Sequence, residues 1–254
     1  NLLTVLLQKH NIIVHKVPYN NNLTRFYKYL YCDIFSTTTP FHKEQIKTLK
    51  DNWLVKEILD WPLLHYQECI PYLNKNRLKY NFSLGFISSG TAARKARNHI
   101  SSIETEDSEM ALINFLKKFI KTNNINLIIL LHPWERANEE IYKFCINYYK
   151  NKFKNCNVTI ADREKNSKEY FSEIELSVSG TSQLGMYRLF CGYKTIYAPF
   201  GYNFEYFKQK NIESITCYSS DTLNKLILKS LKLGDKEFFD THNLNAYHFN
   251  QQNF

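Results

Sequence analysis

Apolar positions along this chain follow two alternating periods, and the alternation is clearest from Tyr80 onward. Tyr80–Ile87 places Phe82, Leu84 and Phe86 at every second position, the spacing of a strand. Glu106–Lys121 groups Met110, Leu112, Ile113, Leu116, Phe119 and Ile120 on one helical face, with acidic residues near its start where the helix dipole favours them. Asn126–Leu131 is apolar throughout, as a central parallel strand buried on both faces would be. Glu139–Phe153 reads as the next helix, followed by strands at Val158–Ile160 and Ile174–Val178, a helix at Gln183–Cys191 and a strand at Lys194–Tyr197 closed by Pro199. Tyr202–Lys208 and Thr222–Leu233 complete the series. Strand, loop and helix repeated at this spacing predict a doubly wound parallel sheet, an α/β Rossmann-like domain.

The pattern before Tyr80 is less regular. Leu2–Gln8 is apolar and fits a helix end or a strand; Ile12–Val17 is a short β-rich run stopped by Pro18. Leu23–Tyr31 carries Leu23, Phe26, Tyr27 and Leu30 at helical spacing, Asp33–Ser36 is a short strand, and a polar helix is expected from Lys43. Trp53–Arg77 contains Pro62 and Pro71 and holds no sustained period, so it reads as a connecting segment with a helix around Leu63–Cys69. Asp240–Phe254 is polar with scattered aromatics, a tail or a segment that packs back.

Composition bounds the class. With 254 residues, 44% hydrophobic and 22% charged, the chain has room for two modest α/β domains and is not disordered. Its net charge of +9 favours anionic partners, but the lysines are interspersed with acidic residues and no nucleic-acid-binding motif is present. A phosphate-bearing substrate is expected, with peripheral contact to an acidic membrane as a further use of the charge. The six cysteines lie far apart without a Cys-x-x-Cys pair, which predicts free, mostly buried thiols in a reducing compartment. No apolar stretch approaches the ~20 residues that span a bilayer. The expectation is a cytoplasmic protein, at most touching the inner face of the membrane.

Ligands of open parallel sheets bind at the carboxyl ends of the strands, which selects four loops by position alone. Ser88-Ser89-Gly90-Thr91 offers three hydroxyls and a permissive glycine, with Arg94 and Arg97 behind them. Backbone N–H groups of such a loop can approach an anion, although helix capping alone would also use the hydroxyls. His132-Pro133 closes the most hydrophobic strand, with Glu135 and Arg136 following; the imidazole can bind a phosphate oxygen or act as an acid toward a departing phosphate, or be satisfied by a backbone carbonyl. Ser179-Gly180-Thr181-Ser182-Gln183 follows a strand and opens a helix, again suiting a phosphate or a cap. Asp162 ends the third strand before Arg163, Glu164 and Lys165, where it could reach a base or ribose or form part of a solvated charge run. His242 and His248 lack metal-ligand spacing, Trp61 and Trp134 read as packing residues, and none of the common nucleotide-loop or hydrolase motifs is present.

At these loops the sequence resembles the donor-binding half of GT-B glycosyltransferases, particularly bacterial capsule and lipopolysaccharide transferases. Leu131-His132-Pro133 resembles the "HP" motif of bacterial sialyltransferases, and Ser179-Gly180-Thr181-Ser182 their downstream serine/threonine motif. Gly192–Gly201 resembles the "glycine, strand, proline" segment after the donor helix. The resemblance spans Leu84–Gly201 and implies that His132 is the phosphate ligand or acid and that Ser179, Thr181 and Ser182 contact the donor phosphate. It further implies transfer of a sugar, such as a nonulosonic acid from a CMP-activated donor, to a glycan acceptor of a bacterial surface polysaccharide, with no cofactor and no essential metal.

Two departures qualify the resemblance. The acidic Asp/Glu-Asp/Glu-Gly motif that supplies the family's general base is missing, and the residues before Ser88 are fewer than the ~150 of a full domain. Residues 1–77 are therefore expected to be the end of an incomplete acceptor-side domain plus connector, and 78–254 the nucleotide-sugar domain. A UDP-sugar, GDP-sugar or CDP-glycerol transferase of the same fold, and a non-catalytic α/β interaction module, remain open.

Overall fold

A computed structural model describes residues 2–18, 29–37, 42, 46–47, 49–60, 67–74, 80–98, 103–201 and 211–248. The chain divides into two compact units, Asn1–Ile70 and Pro71–Phe254. Each contains a parallel sheet, so the α/β architecture expected from the alternating periods is present in both.

In the first unit, helix α1 (Leu2–Lys9) precedes strands β1 (His15–Lys16), β2 (Leu30–Thr37) and β3 (Trp53–Asp60), in the spatial order β1-β2-β3. Leu30, Cys32 and Phe35 of β2 pack with Ile46, Leu49 and Trp53 as its core. The Asp33 carboxylate accepts the Val14 N–H at 2.9 Å and pairs with Lys56, which bridges β2 to its neighbours and holds its pKa down at about 2.

Four sequence expectations meet the structure here. Leu30 and Tyr31 open β2 instead of ending a helix, the remainder of Leu23–Tyr31 lying outside the described residues. The helix expected from Lys43 falls partly outside them too, although Ile46, Lys47 and Leu49 are helical. Trp53–Asp60 is a strand and not connector. Its period was hidden because β3 has a described sheet neighbour on one side only, leaving Leu54 (71% exposed) and Ile58 (45% exposed) open beside Lys56 and Glu57. Of the helix expected at Leu63–Cys69, residues 63–66 lie outside the described set, and Cys69 sits in the 3-10 turn Gln67–Tyr72.

The second unit is built on five parallel strands in the order β6-β5-β4-β7-β8: β4 (Phe82–Ile87), β5 (Leu127–Leu130), β6 (Val158–Ile160), β7 (Ile174–Ser179) and β8 (Thr195–Tyr197). Helices α2 (Thr91–Ala96), α3 (Ile103–Asn123), α4 (Glu139–Lys152), α5 (Leu184–Phe190), α6 (Ser220–Ser230) and α7 (Asp235–Thr241) accompany them. The period of two sorts the strand side chains. Leu84, Phe86, Leu127, Ile129, Leu176 and Val178 join a core with α3, α4 and α6, while Ile87, Ile128, Leu130 and Ile174 face a second core with Ala161 and Tyr170. Each such fully buried aliphatic side chain contributes about 1.5–3 kcal/mol.

The chain steps outward from β4 to β5 to β6, then returns to the other side of β4 for β7 and β8. That reversal places the topological switch point at β4, the position where open parallel sheets accommodate ligands. Tyr202–Lys208 and Trp61 lie outside the described residues. Within Asp240–Phe254, the start belongs to α7, and Asn245–Tyr247 forms a 3-10 turn, so part of the expected tail packs back. All six cysteines are free and five are buried. No described helix is long and apolar enough to cross a membrane, and no described residues form a metal-holding cluster.

Candidate functional site

The loops after β4, β5 and β7 leave adjacent strands at the same edge of the sheet, and they touch. Ser89 Oγ and Thr181 Oγ1 are 3.4 Å apart across the β4–β7 boundary. Gly90, at φ +86, lies so close to the imidazole that a Cβ there would stand 3.0 Å from His132 Cγ and Nδ1. A methyl on Gly180 would meet Ser89 Oγ at 3.6 Å, an ordinary contact. The three hydroxyl- and imidazole-bearing turns thus form one surface at the switch point.

His132 is set by its own turn. Its backbone N–H donates to Glu135 Oε2 at 2.8 Å, and the Trp134 N–H donates to its Nδ1 at 3.2 Å, a reciprocal cap on the 3-10 turn Pro133–Arg136. With Nδ1 accepting, the ring proton resides on Nε2, which can donate to an anion. Burial, with Arg94 and Arg136 nearby, lowers the His132 pKa from 6.5 to about 4. The ring is therefore neutral at pH 7. It is suited to hold a phosphate oxygen by hydrogen bonding.

Not every expected side chain points outward. Ser88, Thr91, Glu135 and Ser179 are buried at 1% exposure or less, so the direct phosphate contacts expected of them are replaced by inward bonds. Ser88 Oγ bonds Glu109 Oε1 at 3.1 Å and Tyr149 OH at 2.8 Å, and it accepts the Gly90 N–H at 2.9 Å. Thr91 Oγ1 donates to Glu109 Oε2, and the Ser89 N–H reaches Glu109 Oε1 at 3.3 Å. Tyr149 OH donates to Glu135 Oε1 at 2.7 Å. Ser179 Oγ accepts the Ser182 N–H at 3.1 Å, and Ser182 Oγ accepts the Leu184 N–H at 3.4 Å, shaping the β7 turn. The N-cap residues of α2 and α5, Gly90 and Gln183, make no side-chain cap, and of these hydroxyls Ser182 covers the first N–H of α5.

The remaining positions divide by loop. Arg94 lies with its guanidinium 5.7 Å from the Trp134 ring centre, as does Arg97, and Arg94 Nη1 is shielded from solvent without a hydrogen-bond partner among the described residues. Trp134, expected to be a packing residue, is 42% exposed with both guanidiniums at its ring. Pro133 is exposed at the start of the turn, and Gln183 Nε2 donates to Tyr187 OH at 3.1 Å. Arg136 Nη1 donates to the Lys165 carbonyl at 2.8 Å, tying its loop to the one after β6. Asp162 is the outlying member. It follows β6, two strands from β4, and its carboxylate accepts the Glu164 N–H of its own loop at 3.0 Å.

Glu109 and Tyr149, which the sequence reading passed over, support this surface from α3 and α4. Their signal was a polar atom on an apolar stripe: Glu109 precedes Leu112 and Ile113 by one helical turn, and Tyr149 follows Cys145 and precedes Phe153 by four residues. Burial raises the pKa of both Glu109 and Glu135, the latter to about 7. The Glu109 charge adds to that rise at Glu135.

No family model matches the sequence, and no curated protein does. Solved structures do. A protein described as a UDP-N-acetylglucosamine 2-epimerase from Listeria monocytogenes aligns over 96% of this chain and 64% of its own, with 8% identity and a TM-score of 0.52. UDP-GlcNAc 2-epimerases from Methanocaldococcus jannaschii (11% identity, 96% and 73% covered, TM-score 0.42) and Neisseria meningitidis, the latter bound to UDP-GlcNAc (13%, 82% and 46%, 0.38), also match. The chain thus spans under two thirds of the Listeria protein, and the likeness is one of fold.

Proposed function

We propose that the Pro71–Phe254 unit binds the phosphate of a nucleotide-sugar and that the protein is a glycosyltransferase acting on it. The observation that carries this reading is the meeting of Ser89, Gly90, His132 and Thr181 at the switch point of the sheet. There the Nε2–H of a neutral His132, the Thr181 and Ser89 hydroxyls and the Arg94 guanidinium can stabilise the negative charge that grows on phosphate as its bond to the sugar breaks. Such stabilisation needs no metal. The resemblance of Leu131-His132-Pro133 and Ser179–Ser182 to the sialyltransferase motifs supports a CMP-activated nonulosonic acid as donor and a glycan as acceptor.

A second reading is favoured by the fold likeness to the Listeria protein: chemistry on the sugar of a UDP-sugar without an acceptor. Calorimetry of the full chain with CMP, UDP and GDP, repeated for His132→Ala, separates the two. Tight binding of CMP that His132→Ala weakens supports the transferase reading, and selective binding of UDP supports the second. Absence of binding by all three nucleotides overturns both and leaves an interaction module. Incubating UDP-GlcNAc without acceptor then tells transfer from isomerisation, since only the latter changes the sugar while the nucleotide stays attached.

A further inference from the structure

Beneath the proposed phosphate loops, four oxygens form an unbroken line: Glu109 Oε1, Ser88 Oγ, Tyr149 OH and Glu135 Oε1, at successive separations of 3.1, 2.8 and 2.7 Å. All four residues are at most 2% exposed. Three oxygen–oxygen hydrogen bonds require three protons. Ser88 and Tyr149 carry one each, and the third has no source but a carboxyl group. The Gly90 N–H occupies one lone pair of Ser88 Oγ, so Ser88 must donate to one neighbour in the line and accept from the other. Thr91 cannot supply the missing proton, because its hydroxyl is used on Glu109 Oε2.

From this count we infer that Glu109 and Glu135 share a single proton through Ser88 and Tyr149, and that the shared proton is the positioning device for the β4 and β5 loops. Two arrangements satisfy every bond. In one, Glu109 donates to Ser88, Ser88 to Tyr149 and Tyr149 to a Glu135 carboxylate. In the other, Glu135 donates to Tyr149, Tyr149 to Ser88 and Ser88 to a Glu109 carboxylate. They interconvert when each O–H in the line breaks toward its neighbour, so one proton moves from Glu109 to Glu135 as one negative charge moves back. Both carboxyl groups then keep their loop contacts: Glu109 with Thr91 and the Ser89 N–H, Glu135 with the His132 N–H.

Electrostatics agree with one charge and not two. Neither carboxyl is paired with Lys or Arg among the described residues. Of the groups facing the pair, Arg94 from α2 acts on Glu109 through space, Cys145 and Tyr148 from α4 have thiol and phenol pKa values raised by burial and the nearby carboxyls, and His132 is neutral. Two buried carboxylates without a paired cation would each carry a heavy desolvation cost.

Glutamine imitates a protonated glutamate, which makes the count testable without any ligand. The stabilities of wild type, Glu109→Gln, Glu135→Gln and the double variant form a cycle read by denaturant midpoint at pH 7. Each single variant should keep most of the wild-type midpoint, because one amide supplies the proton that the line lacks. The double variant should fall by more than the sum of the singles, because two end donors leave one hydroxyl proton without an acceptor. A marked rise in either single variant would show two ionised carboxylates, and an additive double variant would show two protonated ones; either overturns the inference. Positioning is read by nucleotide binding, where Glu135→Gln should retain the wild-type affinity and Glu135→Ala should lose it. Equal losses in both would assign Glu135 a role other than holding the His132 turn. The functional meaning of the pair rests on the phosphate reading. If wild type binds no nucleotide, that reading fails while the cycle still decides the proton.

Discussion

The backbone of Gly90 packs so closely against the imidazole of His132 that a Cβ there would stand 3.0 Å from two ring atoms, which would have to give way to it. The two residues belong to different loops, and their contact fixes the β4 turn against the ring of the β5 turn. Gly90 also adopts φ +86, in the left-handed region. Gly90→Ala should therefore cost about 1–2 kcal/mol for the backbone alone, and it must also push the ring. Gly180 offers the contrast, since its added methyl would meet Ser89 Oγ at 3.6 Å and its φ is not left-handed. Thermal melts and nucleotide titrations of both variants should show loss for Gly90→Ala and near wild-type behaviour for Gly180→Ala. Similar behaviour in the two would mean that the Gly90–His132 contact is dispensable.

How legible these features were in sequence depended on which side of the residue carried the information. β5 was readable because Leu127–Leu130 is buried on both faces and so apolar without interruption. Helix α3 was readable from its stripe, and the loops could be placed because they follow such strands. β3 was not readable, as it leaves Leu54 and Ile58 exposed. Within the site, sequence showed which loops share the sheet edge but not which way their hydroxyls turn. Ser88 and Ser89 are neighbours of the same type, yet Ser88 faces Glu109 and Tyr149 while Ser89 faces Thr181. That choice is made by two helices whose polar residues, at positions 109 and 149, touch the loop only after the chain has folded.

The pH dependence of stability should contain two opposed slopes. His132 has its pKa lowered from 6.5 to about 4, so on acidification the unfolded chain takes up this proton first, and stability falls between pH 6.5 and 4. Glu135 has its pKa raised from 4.5 to about 7, so on alkalinisation the unfolded chain releases its proton first, and stability falls between pH 4.5 and 7. The windows overlap and largely offset each other. Denaturation of Glu135→Gln across pH 4–7 should expose the histidine slope, gaining stability relative to wild type as pH rises. His132→Gln should expose the other, gaining relative stability as pH falls. Parallel profiles for the three proteins would contradict both assignments.

Arg188 is expected to be structural and intolerant of replacement. Its guanidinium, fully buried in α5, donates to the carbonyls of Phe171 at 2.6 Å and Lys194 at 3.3 Å as well as to Ile174, joining α5 to the start of β7, to the turn before it and to the approach to β8. Methionine would leave those carbonyls without donors, each costing about 1–3 kcal/mol. Arg188→Met should lower the melting temperature strongly, and Arg188→Lys should not restore it because an ammonium cannot span the same fork of acceptors. A lysine variant as stable as wild type would show that charge alone is what the site requires.

Arg94 should affect both the imidazole and the anion. Its guanidinium is one cause of the lowered His132 pKa, second to burial, and it also acts on Glu109. Replacing it by methionine removes the charge together with the guanidinium at the Trp134 ring. The His132 pKa should then rise, yet stay below 6.5 because burial remains; nuclear magnetic resonance of the ring protons in labelled protein would follow it. If the shielded Nη1 meets phosphate, losing a charged hydrogen bond worth about 1.5–3 kcal/mol should weaken nucleotide binding by roughly 10- to 100-fold. A shifted histidine with unchanged nucleotide affinity would place Arg94 beside the site without contact to its ligand, and a weakened affinity with an unmoved histidine would separate Arg94 from the imidazole that the structure sets next to it.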